Sequence, residues 1–442
     1  MASGTRRSSS KQVIDLLRKF ESRNVTYLDS EGGWPIVWAI AKGMHVFDAE
    51  GKRYLDLTGA FGVAAAGHAN PRVVRAGQQQ MSRLLHAMGD VHPHALKGLL
   101  CRELSRITFQ RWSGGNSTAK TIFCNSGFEA VEAALKTAAL ATGKKDVIAF
   151  HGGYHGLGYG ALNVTHREYF RSPFRAQLKE FGHFLPFPAN TGGLPHLQKA
   201  LEKLLARKKI GAVLVEPMQA RGGINIPPFE FLPLLKAVCQ KRGALLILDE
   251  IYTGFGRTGA WFACEQSRTI PDIICLGKAL TGGFPLSACV GEARLMDTAW
   301  PTSPGEALHT STFLGHPVGC AMALAQIQEL EKNTKGPSLV RGASKKGKFL
   351  LAQLRTLSPP SGIRFEARGI GLMAGLELTF EDGKPATALA LQVIKQMLHR
   401  GYILLPEGEH SNVISFTPPL TVSTAQLHNT CSALQLTIQE CS

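Results

Sequence analysis

The sequence has no run of about 18 or more apolar residues, so no segment of it reads as a membrane-spanning helix. It has no C-x-x-C pair either. Its nine cysteines are dispersed, and several sit in apolar runs (Cys124, Cys239, Cys275, Cys289), which points away from a disulfide framework and towards a reducing, cytoplasmic compartment. No metal is expected. The polar, basic start MASGTRRSSSK lacks the apolar centre of a secretory signal; a frayed terminus is preferred there to a short organellar presequence. Acidic residues are the scarcer charge, 33 against 49 Lys and Arg, for a formal charge of +16. The positive residues are scattered, without a Lys/Arg block or a basic stripe interleaved with aromatics, so neither nucleic acid nor a membrane is an expected partner. An anionic cofactor or substrate fits the excess charge better. There is no internal repeat and no low-complexity linker.

What is present is ordinary for a soluble globular protein of more than one domain, with 44 % apolar and 19 % charged residues across 442 positions. Residues 11–22 carry Val13, Leu16, Leu17 and Phe20 at helical spacing. The stretch MHVFDAEGKRYLDLT, from Met44, reads as a β-hairpin turning at Asp48, Gly51 and Lys52. From about residue 60, short apolar runs (TIFC, DVIAF, AVLVEP, LLILDE, IICLG) alternate with helical segments such as Glu129–Gly143. That alternation predicts an α/β domain around a largely parallel sheet buried on both faces. After about residue 330 the pattern becomes α+β, with strands in GIGLMAGLELTF, YILLP and NVISFTPPL and a last helix from near Thr424.

One motif invites a different reading. GFGRTG, Gly254–Gly259, matches the dinucleotide pattern G-x-G-x-x-G and follows a strand. However, the acidic pair Asp249–Glu250 precedes the glycines, and GAWFACE is a poor helix start. No acidic residue closes a second strand about 20 residues on. A nucleotide site is not expected.

Three other elements stand at the ends of apolar strands: Asn125–Gly127, Asp249–Glu250 and Gly277–Leu280. Ligands in open α/β sheets bind beyond the carboxyl ends of the strands, so all three can meet in one cleft. Pyridoxal phosphate needs a lysine, a carboxylate for its ring nitrogen, a phosphate cup and a stacking ring. Lys278, between a buried strand and the turn residues of ALTGGFP, is the lysine candidate. Asp249 is the carboxylate candidate, although an N-cap or a salt-bridge partner would also sit there. Ser126, with the free N–H groups of the helix start, can form a phosphate cup; Asn-Ser-Gly is also an ordinary turn. Tyr154 and His155, in GGYHG, offer a ring and an imidazole, with simple packing as the other reading.

Together these segments resemble the class III (ω-amino acid) pyridoxal-phosphate aminotransferases over nearly the whole chain. The resemblance is carried by Gly67-His68, NSGFEAVEAALKTA, LLILDEIYTGFGRTG, GKALTGGFPLSA, HTSTFLGHP and ARGIGLMAGLEL, six matches in the family's order. It implies fold-type I: a large, mostly parallel-sheet domain over residues 61–329 and a smaller α+β domain built from residues 1–60 and 330–442. It implies that Lys278 is the Schiff-base lysine and proton shuttle and that Asp249 pairs with the pyridine nitrogen. Ser126 and Gly127 would hold the phosphate from one subunit and Thr312 from its neighbour. Tyr154 would stack on the ring with His155 beside it, and Tyr252 would reach the ring hydroxyl. A homodimer with shared active sites is implied. So is ping-pong transfer of an amino group from an amino acid or amine to a keto acid or aldehyde.

Three positions depart from the family. Its E-P-x-Q-G-E-G-G reads EPMQARGG here, placing Arg221 where a glutamate is usual. Its N-V-I-R-x-x-P-P-L reads NVISFTPPL, placing Ser415 where an arginine is usual. In many members those two residues pair, and the arginine grips a substrate carboxylate; losing both avoids an unpaired buried charge. Arg221 then either grips a carboxylate from the other side or points to solvent. Phe128, where a small residue is usual, narrows the lip near the phosphate. Phe61 is a further specificity candidate, with core packing as its alternative. Racemase or aminomutase chemistry on the same lysine stays open because neither needs a keto-acid acceptor, and a non-catalytic binding protein is the remaining class.

Overall fold

The computed structural model describes residues 9–29, 33–207, 209–332 and 338–441. The first eight residues, on which the presequence question turns, lie outside these. After a helix at Ser10–Phe20 come β1 (Trp38–Lys42), β2 (His45–Asp48) and β3 (Arg53–Asp56). β2 and β3 form the expected hairpin, with Val46 opposite Tyr54. Its turn is tied by Asp48, whose Oδ1 accepts from the Lys52 N–H at 2.8 Å and whose Oδ2 accepts from the Tyr54 hydroxyl at 2.8 Å.

A seven-stranded sheet follows, made of β4 (Ala119–Cys124), β5 (Asp146–Phe150), β6 (Gly182–Leu185), β7 (Ile210–Val215), β8 (Leu245–Asp249), β9 (Ile273–Leu276) and β10 (Ser287–Glu292). Its order is β4-β10-β9-β8-β7-β5-β6. β10 runs antiparallel to both of its neighbours, and the other pairings are parallel. Every residue of β7 and of β9 is buried, which is why these runs read as continuously apolar. Each fully buried Val, Leu or Ile contributes about 1.5–3 kcal/mol over its exposed state. The helix Gly127–Thr142 covers one face with a buried stripe of Ala130, Val131, Ala133, Ala134 and Ala138; small side chains let it lie close on the sheet. It stops at Gly143, whose φ of 65° is the left-handed cap that glycine takes without strain.

The C-terminal part contributes β11 (Ile363–Ile370), β12 (Met373–Phe380), β13 (Tyr402–Ile403), β14 (Leu405–Glu407) and β15 (Val413–Phe416), and ends in the helix Thr424–Cys441. β11-β12-β15-β14 is an antiparallel sheet. β13 leaves it to pair in parallel with β3, Tyr402 opposite Leu55, so strands from both ends of the chain share one sheet.

GFGRTG does not start a helix. Gly254–Gly259 is a series of turns after β8. Its fully buried Arg257 donates to the Leu372 carbonyl at 3.1 Å and to the Pro418 carbonyl, joining the large sheet's loops to the C-terminal part. Gly259 has a φ of 88°, and a Cβ there would come within 2.6 Å of the Ser344 Cβ. These glycines serve close packing, not a pyrophosphate.

Candidate active site

The parallel strands deliver their carboxyl ends to one edge of the sheet. β4 ends at Asn125–Gly127, β7 at Glu216, β8 at Asp249 and β9 at Gly277–Lys278. β7, β8 and β9 are adjacent, so Glu216, Asp249 and Lys278 stand side by side. A cleft of about 420 Å³ opens there, lined by Gly127, Phe128, Tyr154, His155, Glu216, Arg221, Asp249, Tyr252 and Lys278 among others.

Lys278 is part-buried on the cleft wall, and loss of water around it lowers its ammonium to about 8 against the opposing pull of Asp249, Glu216 and Glu407. Its Nζ sits 3.5 Å from the centroid of the Tyr252 ring, a cation–π distance. Its backbone φ is +40°, a left-handed conformation that costs a residue bearing a Cβ. Asp249 is held from two sides. Its Oδ2 lies 2.8 Å from His155 Nδ1, and its Oδ1 accepts from the Ile251 N–H at 3.1 Å. His155 is fixed in turn through its N–H, which donates to Thr165 Oγ1 at 3.0 Å.

At the end of β4, Glu129 reaches back to accept from the Asn125 and Ser126 N–H groups at 2.7 and 2.9 Å, capping the helix that starts at Gly127. Ser126 Oγ is buried, and its hydroxyl finds no acceptor among the described residues. An orphaned hydroxyl beside the positive end of a 16-residue helix is what a phosphate would complete. A Cβ on Gly127 would meet Ile251 Cδ1 at 3.1 Å, so the cradle tolerates little there but glycine. An unpartnered donor at a helix start, a buried carboxylate locked by a histidine and a part-buried lysine form a set that fits pyridoxal phosphate.

Tyr154 is half-buried, with the Arg221 guanidinium 5.6 Å from its ring centroid. The Tyr252 hydroxyl is 3.1 Å from Thr417 Oγ1. Phe128 is accommodated by glycines: a Cβ on Gly156, where φ is +112°, would lie 2.3 Å from the Phe128 Cβ. Thr312 is exposed and does not line the cleft of its own chain. Phe61 is also outside it, on the wall of a neighbouring chamber of about 390 Å³ that shares Arg221 with the cleft. Ser415 lies in β15 with its hydroxyl donating to the Leu405 carbonyl at 2.9 Å, so it serves the sheet and lines neither space.

Two acids were not anticipated from the sequence. Glu216 Oε1 accepts from the Tyr154 N–H at 3.0 Å and its Oε2 from the Ala220 N–H at 3.1 Å, tying two loops of the cleft together. Burial pushes its carboxyl up to about 7. Its position at a strand end was the available signal, the same one that singled out Asp249. Glu407, buried at the end of β14, has its Oε2 3.7 Å from Arg221 Nε. Neither reading of Arg221 included this neighbour. The side chain is 38 % exposed, yet it lies between Tyr154 and Glu407 and does not simply point outward.

The chain belongs to the class III aminotransferases, whose family model matches residues 27–438. It is accordingly a pyridoxal-phosphate-dependent enzyme of fold-type I. It is 32 % identical to an acetylornithine aminotransferase of Methanosarcina mazei over 98 % of each chain. It is 36 % identical to a putrescine aminotransferase of Pectobacterium atrosepticum, covering 88 % of this chain and 80 % of that one. Among solved structures it superimposes on an (S)-enantioselective ω-transaminase of Thermomicrobium roseum with a TM-score of 0.87 at 26 % identity, covering 98 % and 99 % of the two chains.

Proposed function

We propose that Lys278 is the covalent anchor for pyridoxal phosphate and the proton carrier in the transfer of an amino group from a primary amine to a keto acid or aldehyde. The observation behind this is the meeting of Lys278, Asp249 and the unpartnered Ser126 hydroxyl at the carboxyl ends of strands in one sheet. The cofactor supplies a reactive carbonyl and an electron-accepting ring. Ser126 Oγ and the N–H groups at the helix start hold its phosphate. Asp249, fixed by His155, is the carboxylate for its ring nitrogen, and Tyr154 packs on its face. Tyr252 lies beneath Lys278 and offers its phenol to the ring hydroxyl. Lys278 Nζ, brought within reach of the neutral form by burial, takes up and returns a proton at the donor's amine-bearing carbon.

The donor class is taken from the names of the relatives, which include a putrescine aminotransferase and an ω-transaminase. We also propose a homodimer in which Thr312 serves the partner's phosphate. Its exposure supports this, as does the exposure of Met81, Leu84, Leu85, Met88 and Val91, with His86 5.4 Å from the Phe313 ring. A cytoplasmic location is supported by nine cysteines that are all free. Among the described residues no helix is long and apolar enough to cross a membrane.

The test is a half-reaction. Reconstituted protein should show a visible absorbance band that borohydride fixes on Lys278, that an amine donor bleaches and that a keto acid restores. Lys278→Ala should bind without that covalent band and lose turnover. A Lys278→Ala variant with wild-type turnover would overturn the assignment, and loss of optical rotation without any keto acid would favour a racemase.

A further inference from the structure

The chamber beyond Arg221 is not used by that chemistry. Its walls include Trp34, Phe61, Leu405 and Pro406, apolar surfaces suited to a methylene chain, and one buried acid, Glu407; of its other cations besides Arg221, Arg167 donates to the Glu409 carbonyl at 3.0 Å and Lys395 pairs with Asp29 at 2.7 Å. Glu407 is held in place by β14, whose residues pair with β15. Its carboxylate accepts no hydrogen bond from the described residues; its one ion pair among them is with Arg221 Nε at 3.7 Å, and Lys278 and Arg167 act on it from farther away. A charge-assisted hydrogen bond is closer to 2.8 Å, so this pair is loose. Arg221 has other relief, since it is partly solvated and lies by the face of Tyr154. Glu407 has only the more distant charges of Lys278 and Arg167, and burial pushes its carboxyl up to about 7. A buried carboxylate with free acceptor capacity needs a donor, and an ammonium group supplies three N–H bonds and the charge.

We infer that Glu407 is a specificity-determining residue that receives a second cationic group of the amino donor, at the end remote from the amine reacting at Lys278. Arg221, common to the wall of the cleft and of the chamber, is the cation that such a donor displaces from Glu407. This rests on the aminotransferase reading.

The experiment uses the reconstituted holoenzyme and compares straight-chain diamines with the n-alkylamines of equal length and with ω-amino acids. The expected kcat/KM is higher for diamines than for alkylamines by roughly tenfold or more, as for a buried charge pair. Glu407→Gln should bring that ratio close to unity, and Arg221→Gln, which removes the competing cation, should raise it. The borohydride-fixable band reports whether each variant retains its cofactor site. Should the Glu407→Gln protein fail to fold, the wild-type ratio and its change in Arg221→Gln still decide. A wild-type preference for alkylamines or ω-amino acids overturns the inference, as does a ratio unchanged in both variants. Failure of every amine to bleach the cofactor would instead overturn the aminotransferase reading.

Discussion

Lys278 carries two costs. Its amine is held partly out of water, which lowers its ammonium to about 8, and its backbone sits at a φ of +40°. A lysine whose folded value is depressed to about 8 from 10.5 favours the unfolded chain at low pH. The destabilisation is fully present below about 8, shrinks as pH rises from there and is gone above 10.5. The gap corresponds to about 3 kcal/mol. Cofactor-free Lys278→Met should therefore be more stable than wild type at neutral pH by about that amount, with the difference closing as pH approaches 10.5, measured by urea unfolding. An equal or lower stability at neutral pH would show that the amine finds relief in the folded chain. Lys278 and Asp249 were legible in the sequence because each ends an apolar strand and sits in a long motif. Glu407 was not, because PEGEH reads as a polar turn and its meeting with Arg221 depends on folding that joins residues far apart in the chain. Nor was the Tyr252 contact with Thr417, for the same reason.

At the scale of elements, the strands and helices were largely legible from apolar run length, and the reversed direction of β10 was not. SACVGE is not among the apolar runs that mark strands, and the short connection between β9 and β10, too short for a parallel crossover, tells direction only once β10 is known to be a strand. Tight helix–loop contact was also invisible. The helix Leu339–Arg355 crosses the turn at Gly371 so closely that a Cβ on Gly347 would lie 1.9 Å from the Gly371 carbonyl oxygen. Glycine to alanine inside a free helix gains about 1 kcal/mol. Here Gly347→Ala should lose about 1–3 kcal/mol or more, because backbone meets backbone and neither can step aside. Thermal unfolding checks the sign: a raised midpoint would mean that the helix can shift outward.

For the molecule as a whole, the predicted unit is two chains. Sedimentation of the holoenzyme should give the mass of a dimer, and dilution past its dissociation should lower activity in step with dissociation. A fully active monomer would remove Thr312 from the phosphate site. The chain also separates support from chemistry. Buried Arg257 and the GFGRTG turns brace the sheet's loops against the C-terminal part, so the strand ends are set by contacts remote from the cleft. Within that rigid frame, Lys278 is the exception. An apolar residue here would spare the cost of desolvating an ammonium but would carry the same backbone cost. The lysine fits the proposed role of covalent anchor, which no apolar side chain could take.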